Sequence, residues 1–407
     1  MLKKIRNFPA FIRVCAVLCV CMASALAQTS LADFHKVLRD KVAFDETAFA
    51  ALSQGQTVVQ LLPVQDKREV AVCGLVGVDV PAEIFLASFR DSMARKTNPA
   101  ILEIGSFSRT PTLDDMSGLT MESRDLEDLK ACIVGDCRLK LSAAMIERFQ
   151  KEVNWQSPDY RIQATQLFRQ MLLDYVRDYL ARGDSALIEY NDKSKSVRIA
   201  EEQHALMNAP GYVNSFLSRL PQHQKGVSAA DLHVIENAIV WSKIKFGLKP
   251  VLAINHITIY KREQGSGPQI LIASKQIYAN HYFDSSLALT AFVNIPGASP
   301  GSYLVYENRS RADGLDGAFS GIKRGIVEDR TVDGLKTILE NSKVSLTARA
   351  LNLSEPTQPT EVKRSWRRWK LGGVHVFAWL SLITTFVALF SIGSYSWKRG
   401  IIRGAHS

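Results

Sequence analysis

The spacing of hydrophobic positions changes twice along this chain, and the changes predict the order of its elements. Thr57 to Leu62 and Glu69 to Val80 are rich in Val and Leu and are separated by a polar turn, which predicts two strands. Pro81 then opens a helical pattern to about Arg95, in which Ile84, Phe85, Ala87, Ser88 and Phe89 recur at spacings of three and four. Ile101 to Phe107 and Lys130 to Leu141 have strand character, whereas Leu113 to Leu129 is polar and keeps neither period.

From Ser142 to about Leu220 the helical period dominates. A long amphipathic helix is predicted after Pro158, with Leu167, Phe168, Met171, Leu172, Tyr175, Val176, Tyr179 and Leu180 on one face and Gly183 as its stop. Shorter helices are expected at Ala143 to Val153, Ile199 to Met207 and Tyr212 to Leu220. Strand character then returns in series: Asn237 to Phe246, Val251 to Lys261, Gln269 to Tyr278, Ser286 to Ile295 and Ser302 to Arg309. Short connections such as Gly247-Leu248-Lys249-Pro250 and Pro296-Gly297 make these strands antiparallel neighbours. In the first of them Ala238, Val240, Ser242, Ile244 and Phe246 share one side and Trp241, Lys243 and Lys245 the other, which predicts a buried and a wetter face. The last predicted element is a helix from about Ala318 to Leu346, with an apolar stripe that includes Phe319, Ile322 and Ile326. Gly321, Gly325 and Gly334 weaken that helix, and glycines in a packed helix allow close approach of a strand or a ligand.

Both ends of the chain carry membrane signals. Lys3, Lys4, Arg6 and Arg13 precede an apolar run of 13 residues from Val14 to Leu26, and Ala25 and Ala27 stand at small-residue cleavage positions. Residues 1–27 therefore read as a cleaved signal peptide. Val374 to Trp397 is a run of 24 residues without Lys, Arg, Asp or Glu, with Trp379 towards one edge and Tyr395 and Trp397 at the other, and it is expected to cross the membrane once as a helix. A signal peptide commits the rest of its chain to export, so residues 28–373 are placed outside the cytoplasm and residues 398–407 form a short cytoplasmic tail. Residues 354–373 then comprise a polar, proline-containing linker and a basic juxtamembrane stretch with Trp366 and Trp369, suited to anionic headgroups.

The net charge of +10 changes meaning once it is located. Residues 1–27 carry +4 and residues 361–407 carry +7, which leaves −1 for the part between them. A basic total confined to targeting and membrane segments is no footprint for nucleic acid, and that class is set aside. The part in between is divided into a first α+β section (28–141), a helical insertion (142–235), and an antiparallel meander with a long helix (236–353). Of the six cysteines, Cys73, Cys132 and Cys137 remain after cleavage. Cys132 and Cys137 bracket a Gly-Asp turn, for which the readings are a local disulfide, as export permits, or two buried thiols. Cys73 lies in an apolar run and reads as core.

Candidate chemistry is sparse. His281 and Asp284 lie close together, with His256 on a neighbouring predicted strand, and one reading is that a base and an orienting carboxylate converge there. A structural role for each is the alternative reading. His204, His223 and His233 have no metal-ligand spacing, and the chain carries no phosphate loop or dinucleotide fingerprint, so no catalytic residue, metal or cofactor is assigned.

The stretches QTVVQLLP, VCGLVGVDVPAEIFLASFRD, YLVYENRSR and GAFSGIKRGIVEDRTVDGLKTILENSK, in this order, resemble the START-like, or helix-grip, superfamily of lipid and hydrophobic-ligand binding proteins. The resemblance covers residues 50–140 and 236–346; the helical segment departs from it. It implies an α+β fold in which an antiparallel sheet grips the long C-terminal helix over an apolar cavity, bounded by one sheet face and by positions such as Gly321, Ile322 and Gly325. The expected function is binding of a lipid or other hydrophobic ligand by a membrane-anchored, extracytoplasmic protein. Two further readings stand beside it: an envelope assembly or interaction module with no small ligand, and an extracytoplasmic enzyme.

Overall fold

A computed structural model describes residues 30–94, 96, 100–211, 232–262, 269–315 and 320–354. Helix α1 (Leu31–Val42) starts where the Ser30 side chain accepts from the Asp33 N–H, and ends at Ala43 in the left-handed region. Asp45 caps α2 (Glu46–Ser53) in the same way. Their Phe34, Leu38, Val42, Phe49 and Leu52, a stripe at helical spacing, are buried. Strands β1 (Val58–Leu61) and β2 (Glu69–Val78) follow, then α3 (Ala82–Ala94) just after Pro81, and β3 (Ile101–Ser106).

Next come helices α4 (Ser123–Lys130), α5 (Ala143–Glu152) and α6 (Tyr160–Arg182), the short strands β4 (Glu189–Tyr190) and β5 (Val197–Arg198), and α7 (Ile199–Met207). The meander is β6 (Leu232–Ile244), β7 (Val251–Arg262), β8 (Ile270–Ala279), β9 (Phe283–Asn294) and β10 (Ser302–Ala312), and α8 (Ser320–Ser354) ends the described chain. The fold is therefore α+β, organised on one antiparallel sheet of eight strands in the order β1-β2-β10-β9-β8-β7-β6-β3. The meander supplies the middle, and β2 joins it by pairing with β10, from Ser302 opposite Val78 to Arg311 opposite Glu69.

Helices cover both faces. On one, α3 and α8 contribute Phe85, Phe89, Leu335 and Leu339 to a core with Val72, Val76, Ile257, Ile272, Phe292 and Leu304. Gly74 of β2 marks the closest approach, since a Cβ there would lie 2.5 Å from Leu339 Cδ1. On the opposite face, α1, α2 and α7 pack over β2, β9 and β10, while α5 and α6 pack over β6, β7 and β8. Each fully buried Leu or Phe removed from water contributes on the order of 1.5–3 kcal/mol, so both layers bind the sheet strongly.

Three expectations are corrected. Lys130 to Leu141 is no strand: α4 ends at Lys130, and a tight turn closed by the Cys132–Cys137 disulfide follows. Its burial does not alternate as a half-buried strand would: Ile133 and Val134 are exposed, whereas Leu139, Lys140 and Leu141 are all buried, Lys140 by its pairing with Asp284. The wetter sheet face is not wet at Trp241 and Lys243 either, because residues 103–122 cover it there, although Lys245 is exposed. Trp241 is buried and donates to the Asp115 carbonyl, and Lys243 is buried between Glu103 and Glu122 at 2.7 and 3.0 Å. Finally, a Cβ at Gly325 would meet nothing within 4 Å, so the closest approach of helix and sheet depends on the strand glycine Gly74. The side-chain surroundings of Gly321 and Ile322 lie outside the described residues.

The same holds for the signal peptide, the helix expected at Tyr212 to Leu220, nearly all of the linker, the 374–397 span and the tail. Among the described residues, no helix is long and apolar enough to cross a membrane.

Candidate functional site

The three polar residues singled out from the sequence do not form one site. His281 Nε2 lies 2.9 Å from Asp125 Oδ2 of α4, and Lys249 Nζ reaches the other Asp125 oxygen at 2.8 Å. Burial alone would raise the Asp125 carboxyl, yet the His281 hydrogen bond and the Lys249 charge hold it below the usual carboxylate range. Asp284, by contrast, pairs with the buried Lys140 at 2.8 Å and with Arg68 at 3.2 Å. Burial works against the Lys140 ammonium, but the charges of Asp284 and Asp313 outweigh it and hold the group above the ordinary lysine value. His256 stands apart from both, with Nδ1 2.9 Å from the Tyr179 hydroxyl and Nε2 3.3 Å from Asn237 Oδ1. The first joins α4 to the β8–β9 turn and the 247–250 turn, the second joins the 139–141 stretch and the β1–β2 turn to β9, and the third joins α6 to β7 and β6.

These contacts belong to a wider system on the helical-segment face. Arg68, Glu202, Arg311, Glu69, Arg309 and Glu307 continue the chain of ion pairs across β2, α7 and β10. Hydrogen bonds from the same segment replace sheet pairing where it stops. The β8 and β9 ladder ends at Lys275 opposite Leu287. Beyond it, Tyr175 donates to the Ile277 carbonyl at 2.6 Å, Gln203 donates to the carbonyls of Gln276 and Ser286, and Tyr190 accepts from the Ala279 N–H. The sheet backbone is thus completed by side chains from α6, β4 and α7.

The face under α3 and α8 is built differently. Along β8, Ile270 and Ile272 belong to its apolar core, and strand alternation puts Ser274 and Gln276 on the same side. On β9, Thr290 stands between Ala288 and Phe292, both in that core, and directly opposite Ile272. Ser274, Gln276 and Thr290 are 1%, 3% and 1% exposed. Ser274 Oγ, Gln276 Oε1 and Thr290 Oγ1 are buried without a hydrogen-bond partner. Next to them Ser286, Asn308 and Ser310 are also buried but bond one another, Ser286 to Ser310 at 2.7 Å and Ser310 to Asn308 at 2.8 Å.

An unpaired buried polar atom costs about 1–3 kcal/mol, so three on adjacent positions of one sheet face form a notable concentration. Gln203 Oε1 and Ser285 Oγ, also unpartnered, lie on the other face at the gap between β8 and β9. Sequence reasoning passed over Ser274, Gln276 and Thr290 because polar residues in strands read as the wet side. The usable signal was parity: Ser274 and Gln276 continue the series of Ile270 and Ile272.

Fold and face together define an α+β protein with one large antiparallel sheet held between helical layers. No protein-family model and no curated protein matches the chain in sequence. Among the described residues, no group of three or more His, Cys, Asp or Glu is placed to hold a metal ion.

Proposed function

We propose that this chain is a START-like, membrane-anchored protein whose ectodomain lies outside the cytoplasm and binds a lipid or other hydrophobic ligand between the sheet and the α3–α8 layer. The observation that carries the reading is the division of labour between β2 and β10. They pair with each other and close the five-strand meander, so a single sheet face, apolar at Val72, Val76, Ile257, Ile272, Phe292 and Leu304, lies beneath one long C-terminal helix. Such a layered apolar interior at the end of a tethered chain suits a poorly soluble ligand. Export rests on the 1–27 signal and anchoring on the 374–397 run, with the tail of residues 398–407 inside. Membrane and lipid are the partners of this reading, and nucleic acid has no place in it.

The enzyme alternative loses its motive when His256, His281 and Asp284 each hold a different structural contact. The test is a native and then a denaturing mass spectrum of the exported ectodomain, residues 28–360. Extra mass of lipid size that disappears on denaturation is the expected result. A bare chain in both spectra overturns the reading and moves the function toward an assembly module.

A further inference from the structure

Resting on that ligand reading, we infer that the row Ser274, Gln276 and Thr290 is a head-group subsite, and that the ligand is an uncharged amphiphile carrying hydroxyl or amide hydrogen-bond donors. The three side chains are neighbours on one face. Thr290 is directly opposite Ile272, Ser274 is two residues further along the same strand, and Gln276 two further still. Consecutive members of the row are about 7–8 Å apart or closer, and its ends, Thr290 and Gln276, are about 14 Å apart, so a small polar head group spans two neighbouring members at a time.

The chemistry of the three atoms sets the class of ligand. Gln276 Oε1 accepts only, and Ser274 Oγ and Thr290 Oγ1 can accept as well as donate. A head group that satisfies neighbouring members of the row must therefore supply an O–H or N–H. None of the three is charged, so an anionic or cationic head placed against them would be buried without a counter-charge, a far larger cost than an unmade hydrogen bond. The tail of the same molecule would lie along Ile257, Ile272 and Phe292, the apolar part of the face. Ser286, Asn308 and Ser310, equally buried, satisfy one another, so polarity alone does not mark the subsite. Unmet demand does.

Unmet demand also separates a binding role from a folding role. Where a buried polar atom has no partner, removing it stabilises the unliganded protein, whereas a group serving the fold destabilises it on removal. Ser274→Ala and Thr290→Val are thus expected to raise the melting midpoint of the unliganded chain, each by about 2 °C, while weakening retention of the ligand.

The experiment uses the full-length exported chain in dodecyl maltoside, incubated with 1-monooleoylglycerol or with methyl oleate. These probes share an acyl chain and differ in hydroxyl donors, and bound ligand is read by native mass spectrometry. Wild type is expected to retain the monoacylglycerol about tenfold better than the ester, the equivalent of one good hydrogen bond. Thr290→Val and Gln276→Leu should bring that ratio close to one, with the raised melting midpoint of Thr290→Val showing that the variant is folded. Equal retention of both probes by wild type, or a full preference kept by the variants, overturns the subsite and leaves the ligand reading standing. Retention of neither probe overturns the ligand reading and the subsite with it.

Discussion

Both faces of the sheet are packed under helices, but they treat their polar groups in opposite ways. On the side of the helical segment, charge is buried and paired: Lys140 reaches Asp284 and Asp313 at 2.8 and 3.0 Å, Asp125 takes His281 and Lys249, and Arg309 lies between Glu69 and Glu307. On the side of α3 and α8, the polar row contains no such pairs, and Ser274, Gln276 and Thr290 have unpartnered oxygens. Saturated polar networks specify one arrangement of the elements they join. Unsaturated ones carry a cost of about 1–3 kcal/mol for each unpaired group. The difference separates a face whose buried charges are paired from one with unpaired buried oxygens, which under the proposed function are met by a ligand.

If that contrast is right, damage to the face of paired charges costs most. Lys140→Met leaves Asp284 and Asp313 to Arg68 and Lys193 alone, and is expected to lower stability by about 3 kcal/mol, the lower end for breaking a buried pair, read as a shift in the urea midpoint. Reduction of the Cys132–Cys137 bridge should cost about 2 kcal/mol by loop-closure entropy, because the closed loop is short. Its neighbourhood is also held by backbone bonds from Gly135 to Asn191 and from Cys137 to Asp192, so the hairpin should keep its place, as amide exchange would show.

Matched glycines compare the faces directly. At Gly105 a Cβ would stand 2.6 Å from the indole of Trp241, which is pinned by its bond to the Asp115 carbonyl. At Gly74 the obstruction is the tips of Leu335 and Leu339, which can turn aside. Gly105→Ala is therefore expected to cost about 2 kcal/mol and Gly74→Ala about 1 kcal/mol, measured by denaturant unfolding. Equal costs would remove the distinction between a rigid and a yielding layer.

The smallest effect concerns pH. The Asp125 carboxyl titrates lower in the folded chain than in the unfolded one, so between those two values the unfolded chain binds more protons and stability rises with pH. The contribution is complete above the unfolded carboxylate value and is lost as pH falls through the folded one. Asp125→Asn should flatten this part of the acid limb, while removing the charge that faces Lys249. An unchanged acid slope in the variant would show that the His281–Asp125–Lys249 group does not tie α4 to the sheet.

Much of this molecule was legible as pattern. The period-two runs located β1, β2, β3 and all five strands of the meander, and Pro81 and Gly183 marked the start of α3 and the end of α6 to within a residue or two. Helices α1 and α2 escaped, although Ser30 and Asp45 are ordinary capping residues, because the Phe34, Leu38 and Val42 stripe is short and lies directly after the expected cleavage position, where chain ends are commonly unstructured. The strand expected at Lys130 to Leu141 failed because its apolar residues serve a helix end and a disulfide-closed turn, in which Leu139, Lys140 and Leu141 are all buried by distant parts of the chain.

Read alone, the order of residues settled local matters: where the period changes, where helices stop, and which residue types sit on each side of a strand. It took the packed fold to establish that His281 faces Asp125, that Asp284 faces Lys140, and that Ser274, Gln276 and Thr290 stand together without partners. The reason is physical. Dihedral preference and hydrophobic period act over a few residues, whereas the partner of a buried charge or hydroxyl is set by strands and helices far away in the chain, as the 156-residue separation of Asp125 and His281 shows.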